Sequence, residues 1–172
     1  LLPQQSLDRF RTTLRPKAFG AHHLHRLTKD DDLEFFILYS SASAVLGSPS
    51  QANYACANAL LDGLVAQRRA QGLPATAANF GPWGRGGMAS SAAALANLSA
   101  QGMMPLEPSA ALAALGEVVR HGTGQATVLK ANWQRTAKML GGIRPPMLDQ
   151  VLPTGDGAAS GDSELLRQLQ EI

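Results

Sequence analysis

Residues 33–39, Leu-Glu-Phe-Phe-Ile-Leu-Tyr, form a near-continuous apolar run of strand length. Such runs belong to strands buried on both faces, as in a parallel sheet covered by helices. The flanking segments carry the other period. Upstream, Leu7, Phe10, Leu14, Phe19, Leu24 and Leu27 recur at mostly three- to five-residue steps. This predicts a helix of about 20 residues, with Ser6 as its N-cap and a kink where Pro16 interrupts it. Downstream, the spacing over 51–69 is again helical and stops at Gly72 and Pro74. A second short strand is expected over 75–80, helices over 90–100 and 108–119, and a third strand over 126–131. The order α-β-α-β-α-α-β is the one that crossover connections fold into a parallel sheet. Three strands make a narrow sheet where a complete doubly wound domain has about six. The expected fold class is therefore α/β, the C-terminal half of a doubly wound parallel sheet.

Composition narrows the function classes. The 172 residues are one domain's worth of chain, and the Leu at position 1 suggests a piece of something longer. The single cysteine, Cys56, can neither close an internal disulfide nor supply a zinc site, so a reducing, cytoplasmic setting is expected, and Cys56 reads as a small buried hydrophobe. No apolar run approaches the roughly 20 residues of a bilayer span, and residues 1–5 lack the pattern of a signal peptide; no membrane is expected. With 15 Lys+Arg against 13 Asp+Glu the net charge is +2, and no basic stripe is built, so nucleic acid is not an expected partner. His22, His23 and His25 have no accompanying carboxylate or thiol and read as surface or packing residues, so no metal is expected. Asp62, Arg68 and Arg69 read as a solvated face. From Gly141 onward Gly, Pro, Ser and Asp dominate. A flexible linker is expected over 141–163, with the start of a further helix over 164–172.

The chemistry-bearing candidates cluster after the best strand. Ser40 and Ser41 stand at its C-terminal end, where open α/β sheets place their ligands. Tyr54 and Asn58 are four residues apart, on one face of the next helix. From the residues alone two readings stay open: serines that form a turn and a tyrosine that packs, or hydroxyls converging on a crevice. Gly84-Arg85-Gly86-Gly87-Met88-Ala89 formally matches a dinucleotide-binding fingerprint. It is rejected, because no second strand ending in an acidic residue follows.

The segment Tyr-Ser-Ser-Ala-Ser-Ala-Val-Leu-Gly-Ser-Pro-Ser-Gln-Ala-Asn-Tyr-Ala-Cys-Ala-Asn-Ala-Leu-Leu-Asp over 39–62 closely resembles the ketoreductase domains of modular polyketide synthases, which are extended short-chain dehydrogenase/reductases with a Rossmann-like sheet. The likeness continues through Arg15-Pro16-Lys17-Ala18-Phe19-Gly20 upstream and through Phe80-Gly81-Pro82-Trp83 and Gly87-Met88 downstream. It covers roughly 1–135, and a catalytic subdomain piece over 1–140 is expected, with a lid at about 84–104. Short-chain reductases generally carry Tyr-x-x-x-Lys, whereas these ketoreductases resemble them with the Lys moved upstream and Asn in the helix; Lys17, Tyr54 and Asn58 fit that arrangement.

The resemblance implies NADPH-dependent reduction of a β-keto group on an acyl chain carried by the phosphopantetheine of an acyl carrier protein, with other synthase domains as further partners. It implies Tyr54 as proton donor, Lys17 as the cation beside it, Ser41 as a hydrogen-bond donor to the carbonyl oxygen, and Asn58 as the group that holds Lys17 or a relay water. Ser40, Gly81, Pro82 and Trp83 would face the cofactor, Trp83 reading equally as packing. Leu46, Gly86, Gly87 and Met88 would shape the substrate lid. Leu46 stands eight residues before Tyr54, where relatives giving an L-β-hydroxy product carry Trp, and so favours the D-product. The family's Gly-rich cofactor loop would precede residue 1, so this N-terminal part is a required complement, and the chain by itself is not expected to bind cofactor tightly or to turn over. The alternative is a non-catalytic region that scaffolds neighbouring synthase domains.

Overall fold

Ser6 opens the first helix by accepting from the Arg9 amide at 3.3 Å. In the computed structural model, which describes residues 5–84, 92–141 and 143–154, this helix (α1, Leu7–Leu14) runs into a π-helical turn, Arg15–Phe19, and then α2, Gly20–Thr28. The kink expected at Pro16 takes this form for a physical reason. Pro16 has no N–H to continue the ladder, and the chain widens so that the Gly20 amide reaches the Arg15 carbonyl five residues back. Lys17 lies in the widened turn.

The first strand, β1, is Ile37–Ser41 rather than 33–39. Its limits are set by its partner: β2, Thr76–Phe80, pairs with it in parallel from Ile37↔Thr76 to Ser41↔Phe80, while Leu33 and Phe36 enter the core ahead of the ladder. Burial on both faces belongs to β2, all five of whose residues are buried, and not to β1, where Tyr39 is 50% exposed. β4, Gln125–Val128, pairs with the other side of β2, giving the order β1-β2-β4. The expected third strand divides at Leu129, and β5, Lys130–Ala131, pairs antiparallel with a short β3, Met103–Met104.

Helices cover both faces, as alternation along β2 requires. Ala75 and Ala77 join Ala21, Leu61, Leu64 and Val65 in one core; Ala78 and Phe80 join Leu106 and Ala111 in the other. The first core packs the long helix α4, Ala52–Ala70, and the second packs α6, Pro108–Arg120. A single-turn helix, α3 (Ser43–Leu46), follows β1, and α5 spans Ala92–Ala100. Gly81, just past β2, packs closely against the end of β4: an added Cβ would lie 3.0 Å from the Leu129 Cβ, so Leu129 would have to give by a few tenths of an ångström.

Three expectations are corrected here. Arg68 is fully buried, with its guanidinium 4.0 Å from the Phe36 ring centroid, Nε donating to the Pro74 carbonyl and Nη1 3.1 Å from His25 Nδ1. Its long stem and planar head fill a core site that charge alone would not suggest. Asp62 is half-buried and accepts two hydrogen bonds, so it does not belong to a free solvated face, whereas Arg69 is exposed as expected while donating to the Ala75 carbonyl. Cys56 is half-buried rather than a core residue.

The chain divides into compact units at Ala131/Asn132, ahead of the expected boundary at 140. The second unit holds α7, Trp133–Met139, capped by Asn132, whose side chain accepts from the Arg135 amide. Segment 143–154, expected as part of a flexible linker, contains a 3-10 turn at Pro146–Leu148, and Arg144 bonds the Asp149 carboxylate and the Pro153 carbonyl. The rest of that linker and the expected helix over 164–172 lie outside the described residues. Among the described residues no helix is long and apolar enough to cross a membrane.

Candidate active site

Parallel strands end with their carboxyl edges facing one crevice, and helices that follow them start there. At the end of β1 the Ala42 amide donates to the Phe80 carbonyl at 2.9 Å, holding the strand end against β2. Ser40 and Ser41 are thereby presented beside a cavity of about 510 Å³. Tyr54 lines the same cavity from the first turn of α4, and Lys17 lines it from the π turn.

The helical spacing of Tyr54 and Asn58 does what it predicts. Asn58, fully buried one turn on, donates to the Tyr54 carbonyl at 2.8 Å and turns its Oδ1 to Lys17 Nζ at 2.7 Å. Lys17 also donates to the Tyr39 carbonyl at 3.2 Å, and its Nζ lies 5.5 Å from the Tyr54 ring centroid. Two of the ammonium's three N–H groups are used in this way, leaving a third for the cavity. Burial pushes the Lys17 ammonium below the usual lysine range, and the Asp62 carboxylate pulls it partly back. The arrangement sets a partly desolvated cation beside a phenol, and a cation so placed favours the phenolate once a proton has left.

Ser40 and Ser41 are adjacent but chemically unequal. Ser40 is buried, donates to the Asn58 carbonyl at 3.3 Å and accepts from Asn79 Nδ2 at 3.2 Å. Ser41 Oγ instead accepts from the Ser43 amide at 3.2 Å and lies 2.9 Å from Ser43 Oγ. Gly81, Pro82 and Trp83 line the cavity, and Trp83 also packs edge-on to Phe80 with ring centroids 5.2 Å apart. Leu46, at the end of α3, is half-exposed and stands apart from the residues that line the cavity; Gly47, Ser48 and Pro49 line it in its place. Gly86, Gly87 and Met88 lie outside the described residues.

Sequence reasoning missed the polar layer beneath the site. Asn79, fully buried in the middle of the sheet, donates through Nδ2 to Ser40 Oγ, to the Ser41 carbonyl at 3.3 Å and to Asp62 Oδ2 at 2.8 Å. Gln125 on β4 donates to the same carboxylate oxygen at 3.0 Å. Two signals were present. An Asn interrupts the small apolar strand Thr-Ala-Ala-Asn-Phe, and Asp62 continues the four-residue spacing of Tyr54 and Asn58.

The KR domain family model matches residues 1–85. The chain is 41% identical over 167 residues to polyketide synthase GfsA of Streptomyces halstedii, covering 95% of this chain and 2% of that protein. It is 41% identical over 177 residues to the spectinabilin polyketide synthase system protein NorB of Streptomyces orinoci, covering 98% and 8%. It thus spans a small fraction of the length of these relatives. Among solved structures, the A-type ketoreductases from a modular polyketide synthase align with a TM-score of 0.74 at 40% identity, covering 78% of this chain and 28% of that one. The first ketoreductase of the tylosin synthase aligns with a TM-score of 0.75 at 41% identity, covering 82% and 31%.

Proposed function

Because the chain belongs to the ketoreductase domains of modular polyketide synthases, we propose that it carries the proton-donating half of a site reducing the β-keto group of an acyl thioester to a β-hydroxyl. NADPH would be the reductant, and an acyl carrier protein would present the substrate on its phosphopantetheine. The observation that carries this reading is the Lys17–Asn58 bond of 2.7 Å beside the Tyr54 ring, at the strand end that bears Ser41.

Carbonyl reduction needs a proton at oxygen while charge develops there. Tyr54 donates it from the cavity wall, Lys17 stabilises the phenolate left behind, Asn58 holds the ammonium in place, and Ser41 donates a hydrogen bond that orients the carbonyl oxygen. The residues fit a nicotinamide cofactor: the cavity opens at the carboxyl ends of parallel strands, Gly81 and Pro82 line it, and the third Lys17 N–H is available to a ribose hydroxyl. When bound, the cofactor supplies hydride to the carbonyl carbon. A scaffold without turnover has no use for a half-buried lysine held by a buried amide beside a phenol, which costs desolvation without adding packing.

The test is Tyr54→Phe in the polypeptide that carries these residues. Reduction of a β-ketoacyl thioester is expected to fall by about 10²- to 10⁴-fold, with NADPH affinity nearly unchanged because the lost hydroxyl acts on substrate. Turnover within tenfold of the parent overturns the assignment. Ser41→Ala is expected to cost roughly 10²-fold, the scale of one oxyanion donor.

A further inference from the structure

The two serines at the end of β1 differ in where their single protons go, and the difference is made by a third. A serine hydroxyl has one proton to donate and two lone pairs to accept with. Ser40 spends its proton on the Asn58 carbonyl. Ser41 Oγ accepts from the Ser43 amide and from the Ser43 hydroxyl, at 3.2 and 2.9 Å. Both of its lone pairs are then occupied, and its proton remains for the cavity that both residues line.

We propose that Ser43 is a positioning residue that keeps the Ser41 hydroxyl turned as a donor toward the substrate carbonyl, through the Ser43 O–H···Ser41 O–H chain. This rests on the reading of Ser41 as that donor. A carbonyl oxygen can only accept, so a bound substrate accepts a hydrogen bond from the Ser41 O–H while the Ser43 hydroxyl goes on donating to Ser41 Oγ. As negative charge grows on the substrate oxygen the Ser41 O–H polarises, its oxygen becomes a better acceptor, and the Ser43 bond strengthens in turn. An interaction that strengthens along the reaction raises kcat and leaves ground-state binding alone. Ser43 is half-buried in the first position of the single-turn α3, so its hydroxyl can be removed without opening the core.

Steady-state kinetics with a β-ketoacyl thioester on the polypeptide that carries these residues decides the matter. Ser43→Ala is expected to lower kcat about tenfold, the scale of one neutral hydrogen bond, with KM within about twofold. Ser43→Thr, which restores a hydroxyl, is expected to recover most of it. In a Ser41→Ala background the Ser43→Ala change is expected to cost less than about twofold, because nothing is left to position. If Ser41→Ala is impaired while Ser43→Ala keeps its parent kcat, the positioning role is wrong and the proposed reaction stands. If Ser43→Ala costs the same with and without Ser41, Ser43 acts independently and the inference is overturned. If Ser41→Ala itself turns over within tenfold of the parent, the reading beneath the inference fails and takes it along.

Discussion

Asn79 is the residue on which the site's geometry converges. One amide nitrogen serves Ser40, Ser41 and Asp62 at 3.2, 3.3 and 2.8 Å. All of this happens inside the sheet, where an unpaired polar group carries its full desolvation cost. Asn79→Leu, similar in volume but unable to donate, is expected to destabilise the domain by on the order of 3 kcal/mol, read from its denaturation midpoint. An unchanged midpoint would show that the network contributes no net stability. Leu46 belongs to the same scale. It holds an aliphatic side chain where an indole would mark L-product relatives, so the D-β-hydroxy product is expected from the intact enzyme by chiral analysis. A predominantly L product would show that residues lining the cavity, such as Ser48 and Pro49 in the adjoining loop, set the entry side instead.

Between elements, α2 and the end of α4 meet through a buried pair. His25 Nδ1 faces Arg68 Nη1 at 3.1 Å, so the imidazole serves as acceptor and stays neutral. Burial, with the Arg68 charge adding to it, holds the His25 pKa below its usual 6.5. The sign follows from proton counting. Between the lowered folded value and 6.5 the unfolded chain binds more protons than the folded one, so stability rises with pH through that window and is lost on acidification below 6.5. Thermal melts from pH 7.5 down to 5 should show this loss, and His25→Gln, which keeps an acceptor but cannot titrate there, should flatten it. Equal slopes for parent and variant would place the acid sensitivity elsewhere. Arg68→Ala removes the stem as well as the head, and is expected to cost on the order of 3 kcal/mol.

At the scale of the molecule, the open sheet β1-β2-β4 has β1 and β4 as its edge strands among the described residues. β1 pairs with β2 along one side, and among the described residues no strand lies on its other side. Beside that edge Phe35 is 60% and Tyr39 50% exposed. An open strand with apolar neighbours is a template for further pairing. The 172 residues expressed by themselves are therefore expected to self-associate, and light scattering coupled to size exclusion should give a mass above 18.1 kDa. A monomer that melts cooperatively and binds NADPH tightly would show that the edge needs no complement.

Local chemistry was enough for the sequence to determine a good deal. The period switches placed α4, β2 and α6 within a residue or so of where they lie, because those segments are bounded by glycine and proline, which act within a few positions. The four-residue spacing of Tyr54 and Asn58 put them on one face, since helix geometry alone decides that. Tertiary structure decided what depends on a partner distant in the chain. The strand that begins at Ile37 rather than Leu33 takes its limits from Thr76. The guanidinium of Arg68 is buried because Phe36, Pro74 and His25 surround it. Asp62, four residues beyond Asn58, is drawn inward only because β2 and β4 bring Asn79 and Gln125 to its carboxylate. A charged side chain looks the same in sequence whether its partner is water or a buried amide, and only the packed sheet supplies the second.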